Sequence, residues 1–157
     1  MVSDGDIYAL IGEDGFARLV AAFYAQVPQD DLLGPMYPPH DLEGAEQRLR
    51  DFLVGRFGGP PRYEESRGHP RLRMRHHPYK LDQAARDRWV ALMDRALDGA
   101  ALPSDVTQFL REFFHGTATA ILGPVVSAAI AERFAARKGE MLGQYSSATL
   151  VGRTLAP

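Results

Sequence analysis

Apolar residues recur with the period of an α-helix along most of the chain, and no stretch shows the sustained alternation that is typical of a β-strand. The clearest stripe has the spacing i, i+3, i+4, i+7, i+8 and i+11. Its members are Phe16, Leu19, Val20, Phe23, Tyr24 and Val27. This spacing places all six on one face of an amphipathic helix, which Pro28 brings towards an end.

Three further stripes predict three more helices. The second helix is predicted to start at an Asp41 cap and to stop at the turn Gly58-Gly59-Pro60-Pro61, with Leu42, Ala45, Leu49, Phe52 and Leu53 on its apolar face. The third has Asp82 as its predicted cap and carries Ala85, Trp89, Leu92, Met93, Ala96 and Leu97. The fourth follows Pro103, with Ser104 as its predicted cap and Val106, Phe109, Leu110, Phe113, Thr117 and Ile121 on one face. The chain is therefore predicted to be all-α.

Two segments lack this regularity. Residues 58–80 are rich in Gly, Pro, Arg and His, and a connection that long inside a compact domain is usually functional or carries short irregular helices. After Gly123 the sequence is dominated by Ala, Ser and Gly, so one more helix is predicted over 125–141 and a weakly ordered tail over 143–157.

Composition narrows the classes of protein that fit. A chain of 157 residues is expected to form one compact domain, and the absence of cysteine excludes disulfide scaffolds, thiolate catalysis and iron–sulfur clusters. With 18 basic and 20 acidic residues the net charge is −2, which argues against nucleic-acid binding by bulk charge. The start is acidic, and the most apolar run, 117–131, is too short to span a membrane. We expect a cytoplasmic protein with neither nucleic acid nor membrane as a partner.

Common catalytic motifs are missing, and the five histidines, His40, His69, His76, His77 and His115, do not have the spacing of a zinc hydrolase site. The most biased stretch, 67–78, holds four arginines and three histidines. It fits a solvated loop, or an anion or nucleic-acid site with Tyr63 and Tyr79 available for stacking. It also fits a third interpretation, because a His that ends a basic segment framed by aromatic helices suits a flat apolar macrocycle with two carboxylates.

At this point the sequence resembles the group II truncated haemoglobins, small globins with a two-over-two helical sandwich around haem. The matching motifs are Phe23-Tyr24-Ala25-Gln26-Val27, Met36-Tyr37-Pro38, Asp41-Leu42-x-Gly44-Ala45-Glu46-x-Arg48-Leu49-Arg50, Gly58-Gly59-Pro60, the run 67–76, and Arg86-Asp87-x-Trp89. The resemblance covers about 7–122. It implies a truncated globin domain over 1–122, followed by a C-terminal extension over 123–157.

The resemblance also assigns roles on both faces of the haem. His76 matches the proximal iron ligand, and His77 is a competitor where many relatives have a small residue. Tyr24, Tyr37 and Trp89 match the groups that hydrogen-bond iron-bound oxygen, although they also fit the interpretation of core aromatics. Ala45 stands where vertebrate-type globins carry a distal histidine, and Leu49 lies one helical turn later.

The remaining predicted contacts are to the rim and walls of the pocket. Arg48 and Arg75, and more weakly Tyr63, are predicted to pair with the haem propionates, against the interpretation of solvated arginines. Phe23, Phe52, Leu53 and Met93 are predicted pocket walls or plain core. Phe57 departs from the second Trp that relatives often carry before the Gly-Gly-Pro turn.

The function implied is a haem b protein that binds dioxygen reversibly, together with other diatomic gases such as NO and CO, for oxygen storage, transport or sensing. An alternative is a nitric oxide dioxygenase or peroxidase-like enzyme that needs a separate reductase. A remote alternative is a helical protein that binds anions or nucleic acid through 67–75. The apolar stripe of the extension is expected to pack on the globin core or to form a homo-oligomer; it comprises Val125, Val126, Ala129, Ile130 and Phe134.

Overall fold

The computed structural model of the protein describes residues 2–79 and 81–121. These residues form six α-helices and no strand. The helices are α1 (Ile7–Tyr24), α2 (Leu42–Arg56), α3 (Arg62–Arg67), α4 (Leu72–His76), α5 (Gln83–Gly99) and α6 (Ser104–Ile121). The prediction of an all-α chain is confirmed. The helix predicted over 125–141, the tail and the domain boundary after 122 lie outside the described residues.

The helices are arranged as two pairs that form a two-over-two sandwich. Helix α1 packs against α2 and α5, and α5 also packs against α6. The stripe predicted on α1 points into the space between the pairs, where Phe16, Leu19, Val20 and Phe23 are fully buried. Helix α1 bends at Gly12, whose φ of 60° is unfavourable for other residues, and it ends at Tyr24. Val27 remains in the core from the 3₁₀ turn that follows.

A continuous series of aromatic rings joins the two helix pairs. Phe57 stacks on Phe16 with ring centroids 5.9 Å apart and meets Phe113 edge-on at 4.9 Å. Phe114 then contacts both Phe113, at 5.4 Å, and Trp89, at 5.8 Å. Phe57, which departs from the Trp of many relatives, is thus a fully buried centre of this core.

Of the three predicted caps, only Asp82 acts as one. Its carboxylate accepts a hydrogen bond from the Ala85 amide at 2.9 Å. Asp41 precedes α2 as predicted, but its carboxylate binds Arg48 instead of a helix amide. The prediction for Ser104 is wrong: it is the first helical residue, because the carbonyl of Pro103 already accepts the Thr107 amide.

The buried face of α6 also differs from the prediction. Val106 and Leu110 are buried as expected, but the stripe continues through Phe114 and Ala118. The predicted members Phe113, Thr117 and Ile121 are only half-buried. The face is therefore rotated by one residue, towards Trp89 on α5.

The irregular segment contains two short helices, which fits one of the two interpretations that its length left open. Helix α3 ends at Gly68, which has a φ of 69°, and α4 follows Arg71, whose φ of 43° is unusual for a residue with a side chain. After these breaks, α4 contacts α6. Among the described residues, no helix is both long and apolar enough to cross a membrane.

Candidate functional site

His76 differs from the other four histidines in both exposure and bonding. It ends α4 and is half-buried, whereas His40, His69, His77 and His115 are all exposed. Its Nδ1 lies 2.7 Å from the carbonyl oxygen of Leu72. Because a carbonyl can only accept, Nδ1 must carry the proton and donate. The lone pair is therefore on Nε2, the state in which a neutral imidazole binds a metal.

Among the described residues, His76 does not belong to a cluster of three or more metal-binding side chains. No group of three or more His, Cys, Asp or Glu side chains that could hold a metal ion exists among residues 2–79 and 81–121. Two other histidines are occupied elsewhere, since His69 Nδ1 accepts the Arg71 amide at 3.2 Å and His115 Nε2 lies 3.0 Å from Asp94. A single imidazole fits a metal that arrives with its other ligands already in place, as iron does in a porphyrin.

Three aromatic residues with polar tips meet between α1, α5 and the loop that precedes α2. The rings of Tyr24 and Tyr37 are 5.8 Å apart and nearly perpendicular, and Phe23 contacts both Tyr24, at 5.1 Å, and Trp89, at 5.4 Å. The Tyr37 hydroxyl lies close to the polar tips of Tyr24 and Trp89. We call Tyr24, Tyr37 and Trp89 the donor cluster.

Burial keeps both phenols of the donor cluster protonated. It raises the pKa of Tyr24 far above its usual value, and the neighbouring Tyr37 adds to this effect. Burial also raises the pKa of Tyr37, and the nearby polar groups of Trp89 and Tyr24 only partly offset it. At neutral pH the cluster therefore presents O–H and N–H groups, which donate to an acceptor in a poorly solvated site.

Helix α2 contributes an apolar face that the protein covers incompletely. Leu42, Ala45, Leu49 and Phe52 follow one another at helical spacing, and all four are half-buried while packing against the core. Tyr63 of α3 is 8 % exposed and contacts the edge of Phe52 at 5.8 Å. Such a face is suited to a flat apolar group.

The two arginines predicted to pair with propionates are held by protein groups. Arg48 binds Asp41 at 2.6 Å, and this hydrogen bond raises the arginine's pKa. Arg75 donates to the carbonyl oxygens of Pro70 at 2.8 Å and Arg67 at 2.9 Å, and its guanidinium lies 5.8 Å from the centre of the Tyr63 ring. Their pairing with propionates stays a prediction.

Three of the four predicted pocket walls belong to the hydrophobic core cluster. Phe23, Leu53 and Met93 are 0 % exposed, since protein atoms alone cover them. Their role as pocket walls stays a prediction. Only Phe52 of the four has surface on the α2 face.

One ion pair beside the donor cluster could not be predicted from the sequence. Asp30 accepts the amides of Leu32 and Leu33, at 3.0 and 2.8 Å, and binds Arg88 of α5 at 2.7 Å. Arg88 directly precedes Trp89, so this carboxylate ties the segment that leads to Tyr37 to the helix that carries Trp89. The only signal in the sequence is the position of Arg88 beside the single Trp.

The described structure fits a haem-binding globin. It combines two helix pairs, a half-buried imidazole, an open apolar face on α2, and a donor cluster in which Tyr24 is buried and Tyr37 and Trp89 are half-buried. The chain belongs to the bacterial-like globin family, which matches residues 6–122, and within it to the group II truncated haemoglobins.

Similar proteins agree with this assignment. The group 2 truncated haemoglobin YjbI of Bacillus subtilis is 38 % identical over 103 residues, which cover 66 % of this chain and 77 % of that protein. A crystal structure of a thermostable haemoglobin from Thermobifida fusca is 48 % identical with a TM-score of 0.71, covering 73 % of this chain and 94 % of that one. The truncated oxygen-avid haemoglobin of Bacillus subtilis is 36 % identical with a TM-score of 0.69, covering 73 % and 97 %.

Proposed function

We propose that this globin binds dioxygen reversibly at ferrous haem b. His76 is the proximal ligand of the iron, and the donor cluster donates hydrogen bonds to the bound gas on the distal side. Haem supplies, when bound, a ferrous iron that takes a diatomic ligand such as dioxygen, NO or CO. The chain has no cysteine for thioether attachment, which favours haem held without covalent bonds. The donor cluster, with Tyr24 buried and Tyr37 and Trp89 half-buried, is the observation that carries the proposal.

On the proximal side, the Leu72 carbonyl has the role of orienting the imidazole. By accepting from Nδ1 at 2.7 Å it fixes the tautomer and increases the basicity of Nε2. Because both groups belong to α4, the position of the ligand depends on the fold of one short helix. His77 is exposed and next in the chain, so its side chain points in another direction.

On the distal side, the cluster stabilises negative charge. Dioxygen bound to haem would carry partial negative charge, which O–H and N–H donors in a site of low polarity would stabilise. Ala45 and Leu49 on the α2 face add no polar group, which leaves Tyr24, Tyr37 and Trp89 as the donors. Each hydrogen bond is worth about 1 kcal/mol, or about fivefold in dissociation rate.

Stopped-flow measurement of oxygen dissociation tests this proposal. We expect Tyr24→Phe and Trp89→Phe each to raise the dissociation rate about fivefold to tenfold. Tyr8→Phe is the matched control, because Tyr8 stacks on Phe16, outside the cluster, and should leave the rate unchanged. Equal rates in all four proteins would contradict the role of the cluster.

The use to which the cell puts this chemistry is a separate question. Oxygen storage, transport or sensing requires only reversible binding, whereas NO dioxygenase or peroxidase-like activity requires repeated reduction by a separate reductase. Following NO consumption by the oxygenated protein with a reductant present separates the two. Multiple turnovers favour the enzyme, and a single turnover favours the carrier.

A further inference from the structure

The surface around α4 carries an unneutralised positive charge. Residues 66–81 contain no acidic side chain, and the four arginines among them, Arg67, Arg71, Arg73 and Arg75, are all exposed. None of the four forms an ion pair within the described part of the chain. Elsewhere the arginines that pair with carboxylates are Arg48, Arg56, Arg62, Arg86, Arg88 and Arg111. The net charge of the whole protein is −2, so the positive charge of these arginine side chains is confined to the region around α4.

Two of the large apolar side chains that the described residues expose lie in the same surface. Met74 is 66 % exposed and Tyr79 is 51 % exposed. Arg, Met and Tyr are the residue types enriched in protein–protein interfaces, where apolar anchors combine with steering charges. Nucleic-acid phosphates would use the arginines but would gain little from Met74. We call Arg67, Arg71, Arg73, Met74 and Tyr79 the α4 surface.

The α4 surface lies beside the proximal ligand. His76 belongs to the same short helix and is half-buried, while Arg73 and Met74 are exposed. The diameter of an α-helix with its side chains is about 10 Å, so a partner on α4 comes within about that distance of the imidazole. A position this close suits a protein that delivers electrons.

From these observations we infer that the α4 surface docks an acidic one-electron-donor protein, which reduces the haem iron. This inference rests on the proposed function. The transfer moves one electron from the reduced partner to ferric iron and leaves the iron ferrous; it neither forms nor breaks a bond. Opposite charge on the partner raises the rate of encounter, and Met74 and Tyr79 supply the apolar contact.

The test uses an acidic [2Fe–2S] ferredoxin as the probe and the full chain as purified. Calorimetry with oxidised ferredoxin measures binding, and stopped-flow absorption with reduced ferredoxin measures iron reduction. We expect the double variant Arg71→Glu/Arg73→Glu to lower the ferredoxin affinity and the rate of iron reduction by about tenfold each. Added salt should lower both quantities similarly in the wild type. Neither side chain makes a hydrogen bond in the described structure.

The matched control is Arg18→Glu/Arg95→Glu, which changes the net charge equally at exposed positions on α1 and α5. Thermal unfolding checks both double variants, since Arg18 and Arg95 donate to Ala100 and Gln26. The control should change binding less than about threefold. If the first double variant does not fold, Arg73→Gln alone should weaken binding about threefold. Equal loss in variant and control, or no salt-dependent ferredoxin binding, would overturn the inference.

Other outcomes of these experiments would assign a different kind of partner to the α4 surface. Loss of binding to duplex DNA or to phosphatidylserine vesicles in Arg71→Glu/Arg73→Glu, without ferredoxin binding, would contradict an electron-donor partner. Haem absorption and oxygen dissociation should be unchanged in the variant, because its arginines lie outside the donor cluster. A wild type that takes up no haem would refute the proposed function, while calorimetry would still report on docking.

Discussion

Replacing Asp30 with alanine removes the side chain that ties the segment after α1 to helix α5. The carboxylate is 7 % exposed, accepts the amides of Leu32 and Leu33, and binds Arg88 at 2.7 Å. Because Arg88 precedes Trp89, the substitution acts on a positioning residue of the donor cluster. We expect loss of stability together with faster release of oxygen.

The magnitude follows from the contacts that are lost. A side chain that accepts backbone amides in the manner of a helix cap contributes about 1 kcal/mol. The ion pair with the half-buried Arg88 adds up to about 1 kcal/mol. The free energy of unfolding of Asp30→Ala should therefore be lower by about 2 kcal/mol, which corresponds to about 4–8 °C in Tm for a domain of this size.

Acid should narrow the difference in the free energy of unfolding between the wild type and Asp30→Ala. Burial acts to raise the pKa of Asp30, but the amides of Leu33 and Leu32 and the Arg88 guanidinium outweigh it and lower the pKa. The stabilisation is thus fully present above the unfolded pKa of about 4 and is lost as the pH falls through the lower folded pKa. Urea unfolding at pH 7 and at pH values below 4 measures the difference.

Asp31 provides the matched control for this experiment. It also binds Arg88, at 2.9 Å, but its side chain is 87 % exposed. Asp31→Ala should cost less than about 0.5 kcal/mol. If Asp31→Ala and Asp30→Ala destabilise the protein equally, or if the Asp30→Ala deficit does not shrink in acid, the assignment of Asp30 as the tie is wrong.

Two further predictions concern the core and the donor cluster. Phe114→Ala should lower the free energy of unfolding by about 3–5 kcal/mol, because Phe114 is 2 % exposed. Phe109 is half-buried, so Phe109→Ala should lower it less. Equal losses in urea unfolding would contradict the observed buried face of α6. Because the pKa of Tyr24 is strongly raised, Tyr24→Phe should leave the 295 nm titration below pH 11 unchanged. A smaller absorbance rise in Tyr24→Phe than in the wild type below pH 11 would show that the Tyr24 phenol ionises normally.

The helices could be predicted from the sequence because burial imposes a local period. The stripe from Phe16 to Phe23 and the Asp82 cap depend only on neighbours within a few turns. The face of α6 could not be fixed in this way, since Phe113 and Phe114 are consecutive and either register continues a helical stripe. Contact with Trp89 on α5 selects Phe114.

The site was only partly predictable for the same reason. Residue types and resemblance singled out His76, but its burial and its bond to Leu72, which distinguish it from His77, come from the fold. Arg48 carries the charge that a propionate needs, yet Asp41, seven residues earlier, already binds it. The tie between Asp30 and Arg88 joins residues 58 positions apart, and no local pattern reports it.

The absorption spectrum of the ferrous protein, recorded for wild type, His76→Ala and His77→Ala, tests the central claim most directly. We predict a histidine-ligated haem spectrum in the wild type and in His77→Ala, its loss in His76→Ala, and its recovery there on addition of imidazole. His76→Ala with a spectrum identical to the wild type, or loss of ligation in His77→Ala instead, would contradict the account.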